Sequence, residues 1–274
     1  MVSASTTIAC CVTLFISLVL PVLVLILFAC RNRKQGILSA WLLGAAGFFV
    51  TQMLIRLPIL TALQNQSWFL SFAQNHLFGY AFSLAITAGL FELAGQFAVA
   101  KLMQKNLTCN RSLAAGLGHG SIEAMLIVGI TYINNLAYIA MINSGSFDTV
   151  VAQAAATGVD VSQLELIKQQ LLSASPALFL LAGFERILAM TGHVAMSLLV
   201  CYGVAHRKSG ICTLLCLGLH TLMDLTAGIS LVLPQSIAYP IIYTILIVMA
   251  LLSLYVIREL TRRWKKEVSH ASEE

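Results

Sequence analysis

Charge is what this chain has least of. Asp, Glu, Lys and Arg together make up 10% of its 274 residues, too little to keep a folded surface of that size in water. Set against 59% hydrophobic residues, that scarcity excludes a soluble domain and implies a polytopic, all-α membrane protein. Zinc-type cysteine pairs are also missing. The seven cysteines, at 10, 11, 30, 109, 201, 212 and 216, form no CxxC and lie in apolar runs or basic connections. They read as packing residues rather than disulfides or metal ligands. No stretch is polar enough for a large water-soluble domain, so residues 1–274 are expected to form a single membrane domain. No basic segment precedes the first apolar run, which argues for a retained anchor over a cleaved leader. There is no internal repeat and no pair of Pro- or Gly-broken helices in matching halves, which weighs against a transporter. The net charge of +5 sits in connections and tail, where it speaks for topology and not for nucleic acid.

What is present is a series of long apolar runs. They predict a bundle of seven transmembrane helices over about 8–29, 38–63, 77–99, 112–142, 176–205, 211–233 and 237–257. The connections at 31–34, 101–111 and 206–208 and the tail at 258–274 are basic. The opposite connections hold only Lys168, against Asp148, Asp160 and Glu165. The excess of Lys and Arg on one side predicts an outer N-terminus and an inner C-terminus, with the tail along anionic headgroups of the lipid bilayer. Within the long connection 143–175, Ser162 and Glu165 have capping-box spacing and open an amphipathic helix over about 162–174. Its apolar face, Val161, Leu164, Ile167, Leu171 and Leu172, suits the outer membrane surface. Arg56, near the outer end of the second span, is expected to snorkel to the headgroups, with pairing to an inner carboxylate as the alternative.

The stretch Phe184–Ser197, FERILAMTGHVAMS, puts Glu185, Arg186 and His193 inside an apolar run. A charged group at bilayer depth costs about 2.5–3.5 kcal/mol on insertion scales, so ionisable residues there default to a functional hypothesis. Glu185 and His193 are eight apart and near one stripe of a helix; Glu185 and Arg186 also suit a structural ion pair. Three other spans carry polar residues of the same kind: Glu92 on the third, His119 and Glu123 on the fourth, His220 and Asp224 on the sixth. Counted along each helix from its basic end, Glu92, His119, His193 and His220 fall roughly 12–19 Å deep, in one slab. One glutamate and three histidines at one level suit water activation, with Glu92 as base and histidine donors for an oxyanion. The same set could hold a divalent metal such as zinc on His119, His193 and His220, carry protons, or bond helices together. The fourth span opens with Ser112, Gly116 and Gly120, a small-residue track that lets two helices approach closely.

Several of these segments together resemble one family. GLFE (89–92), GLGHGSIEA (116–124), INN (133–135), FLLAGFERILAMTGHVAMS (179–197) and LHTLMD (219–224) are similar to the YhfC family of bacterial intramembrane peptidases. That family is grouped with CAAX-type endopeptidases, PrsW-type proteases and the APH subunit of gamma-secretase. The resemblance implies a multi-pass protein of the bacterial plasma membrane, a peptidase of glutamic type, and a membrane-associated peptide or protein as substrate. It implies that Glu92, the first Glu of an EExxxR motif, activates water with His119. It further implies that His220 and Asp224, matching HxxxN/D, stabilise the oxyanion, with His193 facing the same cavity. Two positions depart from the motif, Leu93 for its second Glu and Gln96 for its Arg. Those departures support the alternative of a non-catalytic subunit that presents helices on its Gly116/Gly120 face.

Overall fold

The computed structural model describes residues 1–158 and 160–271, with the backbone alone for 268–271. Position 159 of the long connection and positions 272–274 of the expected tail lie outside the described residues. Among the described residues the chain is helical and holds no strand. In chain order the helices are α1 (Ala4–Arg31), α2 (Ile37–Gln64), α3 (Ser67–Asn75), α4 (Leu77–Leu102) and α5 (Cys109–Ser144). There follow α6 (Phe147–Ala156), α7 (Ser162–Ser173), α8 (Pro176–Ala205), α9 (Ser209–Val232) and α10 (Gln235–Ala271). Seven of these, α1, α2, α4, α5, α8, α9 and α10, are long and apolar enough to cross a bilayer. They coincide with the seven predicted spans. Three contain π-helical turns, at Phe15–Val19 in α1, Phe49–Arg56 in α2 and Ala124–Gly129 in α5.

Local chemistry sets the helix ends. The Ser3 hydroxyl accepts the Thr6 N–H at 3.1 Å and starts α1. Gly145, at φ +78°, closes α5 in the left-handed conformation that glycine adopts without steric cost. The seventh span continues further than its apolar run suggests: the basic stretch is not a separate tail but the last turns of α10. Trp264 is buried there, edge-on to Tyr202 and His206, and the Glu267 carboxylate lies 2.5 Å from His206 Nε2.

Packing divides the chain into two compact units. The first comprises Met1–Val22 and Ala124–Ile187. Its core gathers Val2, Cys10, Tyr132, Ile139 and Leu171. The Phe179 carbonyl accepts hydrogen bonds from Thr13 Oγ1 at 2.6 Å and Tyr132 Oη at 3.0 Å. The helix at 162–173 is present, but not by a capping box. Asp160 accepts the Ser162 N–H at 2.9 Å, and this bond holds the Asp160 carboxyl below its usual range. Of the apolar face, Ile167 and Leu171 pack into the unit's core, whereas Leu172 is exposed. Lys168 pairs with Asp148, tying α7 to α6.

The second unit comprises Leu23–Glu123 and Leu188–Glu274. Every residue from Gly192 to Val204 of α8 is buried there. Glycine lets its neighbours close in. A Cβ on Gly44 of α2 would sit 1.9 Å from the Ala115 carbonyl oxygen of α5, and one on Gly118 of α5 would sit 1.9 Å from that of Trp41. Neither backbone atom can move aside. Gly116 and Gly120 face Val194 and Met190 of α8 in the same way, with Cα atoms 2.7 and 3.1 Å from the added carbon. The small-residue track is therefore filled by this chain's own helix, and the face expected to present partner helices is not open.

Gly44→Ala and Gly118→Ala should each destabilise the folded protein by about 1–3 kcal/mol, as overpacking does. Gly218, with nothing within 4 Å of an added Cβ, is the control. Thermal unfolding in detergent should show lower midpoints for the first two variants and no decrease for Gly218→Ala.

Candidate active site

Glu92 lies on α4, 5% exposed, with a glycine one turn before it. A Cβ on Gly89 would meet Thr221 Oγ1 at 3.1 Å and His220 Cβ at 3.5 Å, so its absence lets α9 close on α4. His220 Nε2 then reaches Glu92 Oε2 at 2.5 Å. On α5, Gly120 gives His193 of α8 the same room, its missing Cβ falling 3.3 Å from that of His193. His119, beside Gly120, places Nε2 2.9 Å from the same Glu92 oxygen, and His193 Nδ1 lies 3.6 Å from it. Three imidazoles thus converge on one carboxylate oxygen, all at most 2% exposed. Their ring centroids are 4.9 Å apart for His119 and His193 and 5.3 Å for His193 and His220. The Phe48 ring meets His119 edge-on at 5.3 Å and closes that side with carbon.

Two histidines have a second carboxylate behind them. Glu123 Oε2 is 2.5 Å from His193 Nε2, and Asp224 Oδ2 is 3.3 Å from His220 Nδ1. A carboxylate on one ring nitrogen fixes which way the other faces, the arrangement common behind metal-bound histidines. Glu92, His119 and His193 each offer a donor atom within 4.8 Å of the others, a set suited to a metal ion. This differs from the three-histidine set expected from sequence, since Glu92 takes the place of His220. An observation independent of that spacing agrees with a cation. The His193 Nδ1 is buried, aimed at Glu92, and lacks a hydrogen bond of good geometry. Two imidazole nitrogens and a carboxylate form a donor set that zinc and similar ions accept.

The structure therefore brings together Glu92, His119, His193 and His220, with Glu123 and Asp224 next to them. Glu185 and Arg186 belong to the other compact unit and pair with each other at 2.6 Å. Of the departures from the family motif, Leu93 packs against the core, and the Gln96 carbonyl accepts the Cys216 thiol at 3.3 Å. Beside His119 a small cavity of about 10 Å³, the room one water needs, is lined by Gln96, Ser197 and Cys201 among others.

Arg56 and Gln52 are where the sequence expectation failed. Arg56 does not snorkel outward. Its Nη2 donates to the Leu84 carbonyl of α4 at 2.7 Å and its Nη1 to Gln52 Oε1 at 3.2 Å. Gln52 in turn donates to Glu92 Oε1 at 2.8 Å. Gln52 carries no charge, so a search for ionisable residues passes over it. Its spacing of four from Arg56 was the available signal.

Comparison with known proteins follows the site's location. A family model described as YhfC intramembrane metalloprotease matches residues 16–253, which include every residue of the cluster. The uncharacterized membrane protein YhfC of Bacillus subtilis (strain 168) is 32% identical over 215 residues, covering 77% of this chain and 80% of that protein. No solved structure matches.

The donor set predicts a stoichiometry. Purified protein reconstituted with zinc should retain about one ion per chain by elemental analysis, and Glu92→Gln or His119→Ala should lose it. Glu123→Ala should weaken affinity about 10–100-fold, as loss of a carboxylate behind a ligating histidine does.

Proposed function

Because the chain belongs to the YhfC family of intramembrane metalloproteases, we propose that it hydrolyses a peptide bond of a membrane-associated substrate, with Glu92 at the centre of the reaction. The observation that carries this reading is the convergence of three buried imidazoles on one oxygen of Glu92. Glu92, His119 and His193 are the residues that would hold a divalent cation. When bound, that cation supplies Lewis-acid polarisation of water and of the substrate carbonyl.

The remaining groups position and move protons. Glu123 at His193 Nε2 keeps Nδ1 of that ring directed toward Glu92. Asp224 at His220 Nδ1 orients the other ring in the same way and stabilises its imidazolium, and in that protonated form the Nε2–H points at the reacting oxygens. That N–H can donate to the oxyanion that forms when water adds to the carbonyl. The His220–Asp224 pair can then pass the proton to the leaving amine. Phe48 and the buried helix faces exclude bulk water, which strengthens each of these interactions. A purely glutamic reaction would use the same residues with Glu92 as sole base. The family description and the Glu92–His119–His193 donor set favour the cation-dependent form. In the plasma membrane, with the basic helix ends inside, the centre would lie in the cytoplasmic half of the bilayer.

Protein in nanodiscs, tested on a library of membrane peptides, should cleave and should lose cleavage on chelation. Glu92→Gln and His220→Ala should each lower kcat by about 10²–10⁴-fold, the span of general acid–base and oxyanion contributions. Cleavage indifferent to both substitutions would overturn the assignment. No cleavage by folded wild type would favour a non-catalytic subunit or a proton path. A fluorescent protein fused after α10 should light up in the cytoplasm, and alkaline phosphatase fused there should stay inactive.

A further inference from the structure

Each oxygen of Glu92 has its own partners. Oε2 faces the histidines, while Oε1 accepts a hydrogen bond from Gln52 Nε2 at 2.8 Å. The second hydrogen of that amide goes to the Ala88 carbonyl at 3.2 Å. Gln52 Oε1 accepts from Arg56 Nη1 at 3.2 Å. Turning the Gln52 amide over would set its oxygen against the Glu92 carboxylate and its NH₂ against a guanidinium. Both contacts would be repulsive. Arg56 thus dictates which end of the amide meets Glu92.

Arg56 is itself tied to α4, through the Leu84 carbonyl at 2.7 Å and Thr87 Oγ1 at 3.5 Å. Leu84, Ala88 and Glu92 follow at four-residue spacing, so Arg56 and Gln52 run alongside one stripe of α4 like rungs. They occupy the π-helical stretch Phe49–Arg56, whose wider turn keeps residues four apart nearly in line. The interposed amide has a chemical consequence. An arginine placed directly on Glu92 would satisfy both oxygens at once, the bidentate pairing guanidinium favours. With a neutral amide between them, the positive charge holds the geometry and leaves Oε2 to the histidines.

We propose that Gln52 and Arg56 are positioning residues for the reaction: Arg56 fixes the sense of the Gln52 amide, and Gln52 holds Glu92 Oε1 so that Oε2 faces the histidines. The inference rests on the reading of Glu92 as the reaction centre, but its test does not require cleavage. The Glu92 carboxylate stretch can be isolated by infrared difference spectroscopy on ¹³C-glutamate-labelled protein, with the Glu92→Gln spectrum subtracted. Gln52→Met, near in size, should shift that band by removing its hydrogen bond. Arg56→Gln should shift it in the same direction by freeing the amide to turn, and Gln52→Asn, too short to reach, should reproduce the shift while keeping a polar group. In the cleavage assay Gln52→Met should lower kcat by about 10–100-fold with KM unchanged, the scale of a misplaced reacting group. Bands unmoved in folded Gln52→Met and Gln52→Asn proteins would overturn the proposal, whatever the activity. Shifted bands in a protein whose wild type cleaves nothing would support the positioning role and overturn the peptidase reading instead.

Discussion

One buried carboxylate organises the second unit. Helices in lipid gain little hydrophobic free energy by touching each other, so their arrangement must come from close packing and polar contacts. Glu92 supplies the polar contacts for most of that unit. α5 meets it through His119, α8 through His193, α9 through His220 and α2 through Gln52. A charged group left alone at that depth would be costly, and an imidazole or amide from each surrounding helix offsets that cost. Function and assembly therefore lean on the same side chain. A substitution there changes the chemistry and also removes the group on which four neighbouring helices converge.

The second requirement is room. The imidazoles reach Glu92 because glycine stands at Gly89 and Gly120, where a methyl group would press on Leu217 and Thr221 beside His220, or on Met190 and His193. Gly44 and Gly118 bring α2 and α5 to backbone contact in the same unit. The polar cluster and the small residues are one design: the first specifies which helices meet, and the second lets them come near enough. Outside the cluster the unit's core is aliphatic, aromatic and sulfur-bearing, built around α8.

The spans were legible because length and hydropathy suffice to find them. The shared depth of Glu92, His119, His193 and His220 was legible because rise along a helix is a simple count. Rotation about the helix axis was harder to read. Eight residues overshoot two full turns by roughly 80°, so Glu185 leaves the stripe of His193 and pairs with Arg186. Position along its helix favoured snorkelling for Arg56 over pairing with an inner carboxylate, whereas its side chain turns to a carbonyl of α4 and to Gln52, which no local pattern reveals. The short helix at 162–173 shows another limit: the Ser–Glu spacing was real, yet Asp160 just before it was the better acceptor for the Ser162 N–H. The departures at Leu93 and Gln96 were visible at once. That they fit a core and a cysteine partner required the neighbouring helices.

The π-helical stretch of α2 holds more chain per turn than the α-helix on either side of it. It therefore acts as a register device, storing slack inside an otherwise regular rod. Loss of one codon between 49 and 56 would take up that slack, returning the stretch to ordinary pitch while the helix on either side keeps its facing. A residue lost between Gln52 and Arg56 would still shorten their spacing from four to three, and the two would no longer reach Glu92 and Leu84 together. The same loss in a connection between helices would be absorbed by the turn. A deletion in the regular turns of α2 meets no such slack and would swing the residues beyond it by about 100°, a difference that hydropathy alone does not reveal.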